Sequence, residues 1–244
     1  MKTKLFSLAA GLLFAAAPAF ACGDSAEVKI SMSNDNFTYW QGLDIGVNGY
    51  FNQRTNSIET PSGYGFLELD YARSRSFAWN MGQYNFHIVK NYVQLVTGFG
   101  LEWNSYALRR NVSLVPNGDS VLAVTEPLDF SKNKLKSTWI NAPVMLEFNT
   151  SKNPERNFHL GAGVTFGYNI FRNRLKQEFT MNGDEQKRVL RDDFNINPFR
   201  YSATVRVGYG NFTLFVNYGL NELFKSNRGP AVHPFSAGIS LNID

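Results

Sequence analysis

From about Tyr39 to the end of the chain, apolar and polar residues alternate with period two, segment after segment, and no helical period of comparable length appears. In a first predicted strand, about Tyr39 to Phe51, Leu43, Ile45 and Val47 share one face while Gly42, Asp44, Gly46 and Asn48 share the other. A third, about Tyr92 to Ala107, sets Val93, Leu95, Phe99, Leu101 and Trp103 against Gln94, Gly98, Gly100, Glu102 and Asn104. The pattern returns at about Leu135 to Phe148, Phe158 to Arg172, Phe199 to Tyr209, Phe212 to Leu220 and Phe235 to Ile243. In the second strand Phe77, Trp79 and Met81 keep one phase and Tyr84, Phe86 and Ile88 the other, so a β-bulge is expected near Gly82 or Gln83.

Connections after the second, fourth and sixth strands are short, around Lys90-Asn91, Thr150 to Asn157 and Gly210-Asn211; those after the first, third and fifth are longer and more polar. Such alternation is that of a hairpin array with tight turns on one side of a membrane and long loops on the other. The expected fold is all-β: a single transmembrane antiparallel up-and-down β-barrel of eight strands, both termini in the periplasm.

A soluble barrel also alternates, with its apolar side turned inward. Charge placement argues for the membrane. A solvated outer face carries roughly 25–35% charged residues, whereas the polar face of Phe158–Arg172 offers Gly, Thr, Asn and one His. Aromatics on the apolar faces fall near strand ends: Tyr39, Phe148, Phe158, Tyr209 and Phe212 at the short-turn end, Phe51, Trp103, Tyr168, Tyr201 and Phe235 at the other. Two such girdles bracket an apolar band at the headgroup levels.

The N-terminus adds export. Lys2 and Lys4 precede an apolar core from Leu5 to Ala17 and then Pro18-Ala19-Phe20-Ala21, a signal-peptide pattern with cleavage after Ala21. The expected organisation is a signal peptide over 1–21, a short periplasmic segment over 22–38 and the barrel domain over 39–244. Cys22 could instead be the acylated first residue of a lipoprotein, but Ala19 and Phe20 depart from the usual lipoprotein pattern. One cysteine excludes an internal disulfide framework, and a formal charge of +4, two of it in the signal, argues against nucleic acid as a partner.

The run Trp139-Ile140-Asn141-Ala142-Pro143-Val144-Met145-Leu146-Glu147-Phe148 resembles one in the PorT-like family of small bacterial outer-membrane β-barrel proteins. Phe158-His159-Leu160-Gly161-Ala162-Gly163 and Pro234-Phe235-Ser236-Ala237-Gly238-Ile239 are similar to that family's strands too, and the resemblance spans about Trp40 to Ile243. It implies an integral outer-membrane barrel with varied roles, support of secretion among them. Asp244 stands where many barrels end on an aromatic residue.

Candidate chemistry is sparse. Of three histidines, His87 and His159 fall near the short-turn end, the wrong side for lipopolysaccharide in the outer leaflet, and His233 falls near the other, where its same-face neighbour is Phe235 and no Ser/His pair forms along the strand. No metal-ligand spacing, phosphate loop or dinucleotide fingerprint occurs, so no enzyme activity and no cofactor is expected; an outer-membrane enzyme acting on lipid or peptide, or a narrow channel, is the alternative. Two groups of charges remain. Asp44, Glu102, Glu147, Arg200 and Arg206 lie on polar strand faces and are expected to form an interior network, Glu147 with Arg206 low in the barrel and Glu102 with Arg200 higher. Arg109, Arg110, Lys132, Lys134, Lys136, Arg172, Arg174 and Lys176 cluster near the outer strand ends, a candidate rim for lipopolysaccharide phosphates. The expected partners are outer-membrane lipid and lipopolysaccharide, with an envelope protein beside them.

Overall fold

The computed structural model describes residues 31–32, 39–116 and 118–242. The expected signal peptide, Cys22, Ile243 and Asp244 lie outside the described residues. Eight strands form the wall: β1 (Gly42–Phe51), β2 (Arg75–Val89), β3 (Val93–Ala107), β4 (Phe130–Asn149), β5 (Phe158–Asn169), β6 (Phe199–Tyr209), β7 (Phe212–Gly219) and β8 (His233–Asn242). Each pairs antiparallel with the next in sequence, and β8 pairs back onto β1 from His233↔Phe51 to Asn242↔Gly42. The closed ring pairs every wall strand with a neighbour on each side, the arrangement by which a sheet hides its backbone groups from hydrocarbon. No helix among the described residues is long and apolar enough to cross a membrane.

The two faces sort as their chemistry demands. Trp79 (49% exposed), Val205 (45%) and Leu214 (53%) point outward, while Gln94, Glu102, Asn104, Asn141 and Thr204 are buried inside. Water would penalise that outer surface by roughly 25 cal/mol per Å² of apolar area; lipid does not. Tyr39, read from the pattern as a girdle residue, is a correction: it is buried at the short-turn end. Gly42, at φ 140°, turns the chain from this buried segment into β1, which is why the first strand starts three residues later than its pattern suggests.

β2 slips register between Asn80 and Gly82, so the bulge falls at Met81, one residue before the expected position. β1 is held unevenly, by ten pairs to β8 but only five to β2. Beyond the start of β1, Ser31↔His87 and Met32↔Phe86 continue the pairing along β2. Gly46 and Gly238 face each other across the β1–β8 seam; a Cβ on Gly238 would lie 2.1 Å from the Ile45 carbonyl oxygen.

The long connections fold together. Leu67 and Leu69, then Leu108, Val112, Leu114 and Val121, then Leu175, Phe194 and Ile196, then Leu223, Phe224 and Val232 join one buried cluster on Tyr50, Tyr106 and Trp139 of the wall. The result is a cap with its own apolar core. Within it Asn173–Met181 and Asp184–Asp192 form a hairpin around Asn182 and Gly183, both at positive φ (54° and 89°), as a primed two-residue turn requires. β4 runs for 20 residues, about twice the 9–11 a tilted spanning strand needs, and its first part pairs with Asn173–Met181. A three-stranded sheet thus rises from the wall where a loop was expected.

Candidate functional site

The lumen comes first, because its polar side chains come from every wall strand. Arg206 on β6 donates from Nη1 and Nη2 to Asp44 Oδ2 and Oδ1 on β1, each at 3.0 Å, and Asn80 Nδ2 adds a third bond to Asp44 Oδ2 at 3.0 Å. The paired guanidinium lies 5.7 Å from the Phe215 ring centre. Nearer the cap, Glu102 accepts from Arg200 Nη2 (2.5 Å), Asn141 Nδ2 (2.5 Å) and Asn104 Nδ2 (2.6 Å), and Arg200 stacks 4.6 Å from the Trp139 ring centre. Between these layers lies a cavity of about 30 Å³, bordered by Asp44, Glu102, Arg200 and Arg206, with room for a water molecule or two.

All five expected interior charges face the lumen, but one pairing differs. Arg206 meets Asp44 and not Glu147, whose Oε1 instead accepts from Gln94 Nε2 (2.5 Å) and Asn149 Nδ2 (3.0 Å). The reason is the wall itself. Arg206 and Glu147 both sit opposite Gly161, one strand away on either side, and a long side chain extends off its own wall toward the far one.

Below, the floor is a chain of short bonds. Asn157 Nδ2 donates to Asn149 Oδ1 (2.6 Å) and to the Tyr39 hydroxyl (2.9 Å), which donates to Pro154 O (3.0 Å). Tyr39 stacks at 3.7 Å on His159, whose Nε2 bonds Thr213 Oγ1 at 2.8 Å. Trp40 packs with Val96 and Met145 above them. His159 is thus a buried packing residue. His233 Nδ1 bonds Gly219 O at 2.9 Å near the cap. Among the described residues no group of His, Cys, Asp or Glu is arranged to hold a metal ion.

The candidate rim divides. Arg109 (2.7 Å) and Arg110 (3.4 Å) pair with Glu68 of the first long connection. Lys132 (2.6 Å) and Lys176 (3.4 Å) pair with Glu178, and Lys134 Nζ bonds Arg73 O at 3.4 Å. Arg172, Arg174 and Lys136 make no ion pair among the described residues. Arg188, outside the expected set, ties the hairpin to the second long connection. It donates to Glu126 Oε1 (2.8 Å), Ser113 Oγ (2.6 Å) and Gln177 Oε1 (2.8 Å) while lying over Phe130 and Phe179. The one signal for the hairpin in the sequence is the Asn182-Gly183 pair, a dipeptide that favours a two-residue hairpin turn.

Lys132, by its hydrogen bond, holds the Glu178 carboxyl below its ordinary value of 4.5, against a smaller opposing effect of burial. A depressed folded value stabilises the cap above the unfolded carboxylate pKa and ceases to do so as pH falls through the folded value. Hydrogen exchange in Asn173–Met181 is therefore expected to accelerate as pH falls below the ordinary carboxylate value of 4.5, after correction for intrinsic rates, with a weaker dependence in Lys132→Met. Equal pH dependence in both proteins would dismiss the link.

The closed ring, the apolar exterior and the filled polar interior define an integral outer-membrane β-barrel. A model of the outer membrane protein beta-barrel domain family matches residues 29–225, and the chain belongs to that family. No curated protein matches it. Among solved structures it is similar to Ail, the attachment invasion locus protein of Yersinia pestis, in complex with the heparin analogue sucrose octasulfate. The identity is 13% over 82% of this chain and 95% of that one, with a TM-score of 0.31.

Proposed function

We propose that this chain is a non-catalytic barrel whose role is structural or interactive, with the termini and short turns in the periplasm and the folded cap outside the cell. The observation that carries the reading is the lumen. Asp44, Glu102, Arg200 and Arg206 are consumed in mutual pairing, Tyr39 and Trp40 fill one end and the cap core covers the other. Charges bound to each other are unavailable for general acid or base work, and a 30 Å³ cavity does not conduct solutes. What the fold leaves free to act is the surface of the cap, held by a rigid anchor.

The resemblance to PorT-like proteins makes support of secretion or of envelope integrity the first role to examine, with an envelope protein as partner. An epitope tag inserted between Asn182 and Gly183 should be reached by antibody on intact cells, and one between Gly210 and Asn211 only after the outer membrane is permeabilised. The reverse pattern would refute the orientation. Purified barrel in planar bilayers should show no steady conductance; stepwise currents would refute the closed lumen.

A further inference from the structure

The three-stranded sheet above the wall has two unlike faces. Leu175 and Gln177 point into the cap and are fully buried, whereas Arg174, Lys187 and Arg191 are exposed on the other face. Register stacks that outer face in rows. Lys136 lies opposite Arg174, which lies opposite Arg191, so three cations occupy adjacent strands. In the next row Lys134 lies opposite Lys176, and in the third Glu178 stands between Lys132 and Lys187. Adjacent strands are about 4.8 Å apart, and like charges directly opposite destabilise a sheet. Glu178 compensates only the row farthest from the wall and, at 3.4 Å, Lys176.

The place of these rows matters as much as their charge. Lys136 pairs with Ser105, and the next outward position along β3 is Trp103, beside Phe77 at 5.5 Å. Across the ring, Tyr168 and Phe199 lie 5.0 Å apart at the same end of the wall. The cationic face therefore continues the lipid-facing surface directly above its aromatic girdle, at the level of lipid headgroups.

We propose that this face binds the phosphates of anionic lipids in the outer leaflet, with the row Lys136, Arg174 and Arg191 nearest the membrane. Phosphate oxygens accept charge-assisted hydrogen bonds from several cations at once and remove the repulsion within each row. The inference rests on the cap lying outside the cell, as proposed above. It also narrows the rim: Arg109 and Arg110 are committed to Glu68 and take no part.

The test compares the wild type with the quadruple variant Lys134→Gln, Lys136→Gln, Arg174→Gln and Arg191→Gln. Both are placed in nanodiscs of phosphatidylcholine alone or phosphatidylcholine with lipopolysaccharide, and melting is followed by heat-modifiable gel migration. In phosphatidylcholine the variant should melt at or above the wild-type temperature, because like-charge rows have been relieved. Lipopolysaccharide should raise the wild-type midpoint by about 4 °C or more and the variant's by less than half of that. Equal shifts in the two proteins, or a variant less stable in phosphatidylcholine, would overturn the proposal. Inorganic phosphate at the same phosphate concentration should leave both midpoints unchanged; a shift equal to that of lipopolysaccharide would make the face a simple anion site and overturn the lipid assignment. Tag accessibility at Asn182-Gly183 judges the orientation separately, so an exposed tag with no lipid effect condemns this inference alone.

Discussion

Arg206→Ala should destabilise the barrel by about 3–5 kcal/mol, because it strands the Asp44 carboxylate in the lumen with a single amide partner. Asp44→Ala should cost a similar amount by stranding the guanidinium. The double variant Asp44→Leu with Arg206→Met should lie closer to wild type than either single change, since removing both charges removes the penalty of an unpaired one. Glu147→Gln makes the contrast: its partners are two amides and it should move stability by less than about 1.5 kcal/mol. Urea unfolding in detergent micelles measures all four. An Arg206→Ala protein within about 0.5 kcal/mol of wild type, the range of ordinary surface substitutions, would mean that the pair carries no net weight.

Gly238→Val should abolish the folded, heat-modifiable form altogether. The new Cβ would sit 2.1 Å from the Ile45 carbonyl oxygen and 2.5 Å from the Gly46 Cα, both backbone atoms of the strand that closes the ring. Strand glycines at such places let two backbones approach and the sheet bend. Gly161→Ala is the matched control, also in the wall, where the nearest atom to the added Cβ is 3.8 Å away. A Gly238→Val protein that folds with normal heat modifiability would show that the seam can spread to admit a side chain.

The barrel was legible in the sequence because one physical rule, period two, governs every wall strand, and because the slip of phase from Trp79 to Tyr84 marks its own bulge. Counting along the strands puts Glu147 and Arg206 at one height and Glu102 and Arg200 at another, and gives no height for Asp44. The partners do not follow, since counting gives height but not direction around the ring, and Asp44 reaches Arg206 from across the lumen while Glu147 stays with neighbours on its own side. The hairpin over residues 173–192 was missed because its outer face is charged and its inner face mixes Leu175 with Gln177, so no apolar alternation stands out. Tyr39 was misplaced for a simpler reason: nothing in an alternating pattern announces that the chain turns inward before Gly42. In the candidate rim, residue type was readable and the row-by-row opposition of cations was not, because register between β4 and the hairpin is set by pairing far apart in sequence.

The unequal hold on β1 governs the order in which this molecule can assemble. β2 through β8 pair with neighbours in sequence, at separations much smaller than the one that closes the ring. β1 has only five pairs with its sequence neighbour and twice as many with the last strand, across almost the whole chain. Bringing those ends together carries a closure entropy that grows with the logarithm of the separation, and it is repaid only once both strands are in place. The first strand of the wall is therefore expected to settle last. Until β8 arrives, the nascent sheet carries two bare edges, and the slow step of folding is the meeting of its beginning with its end.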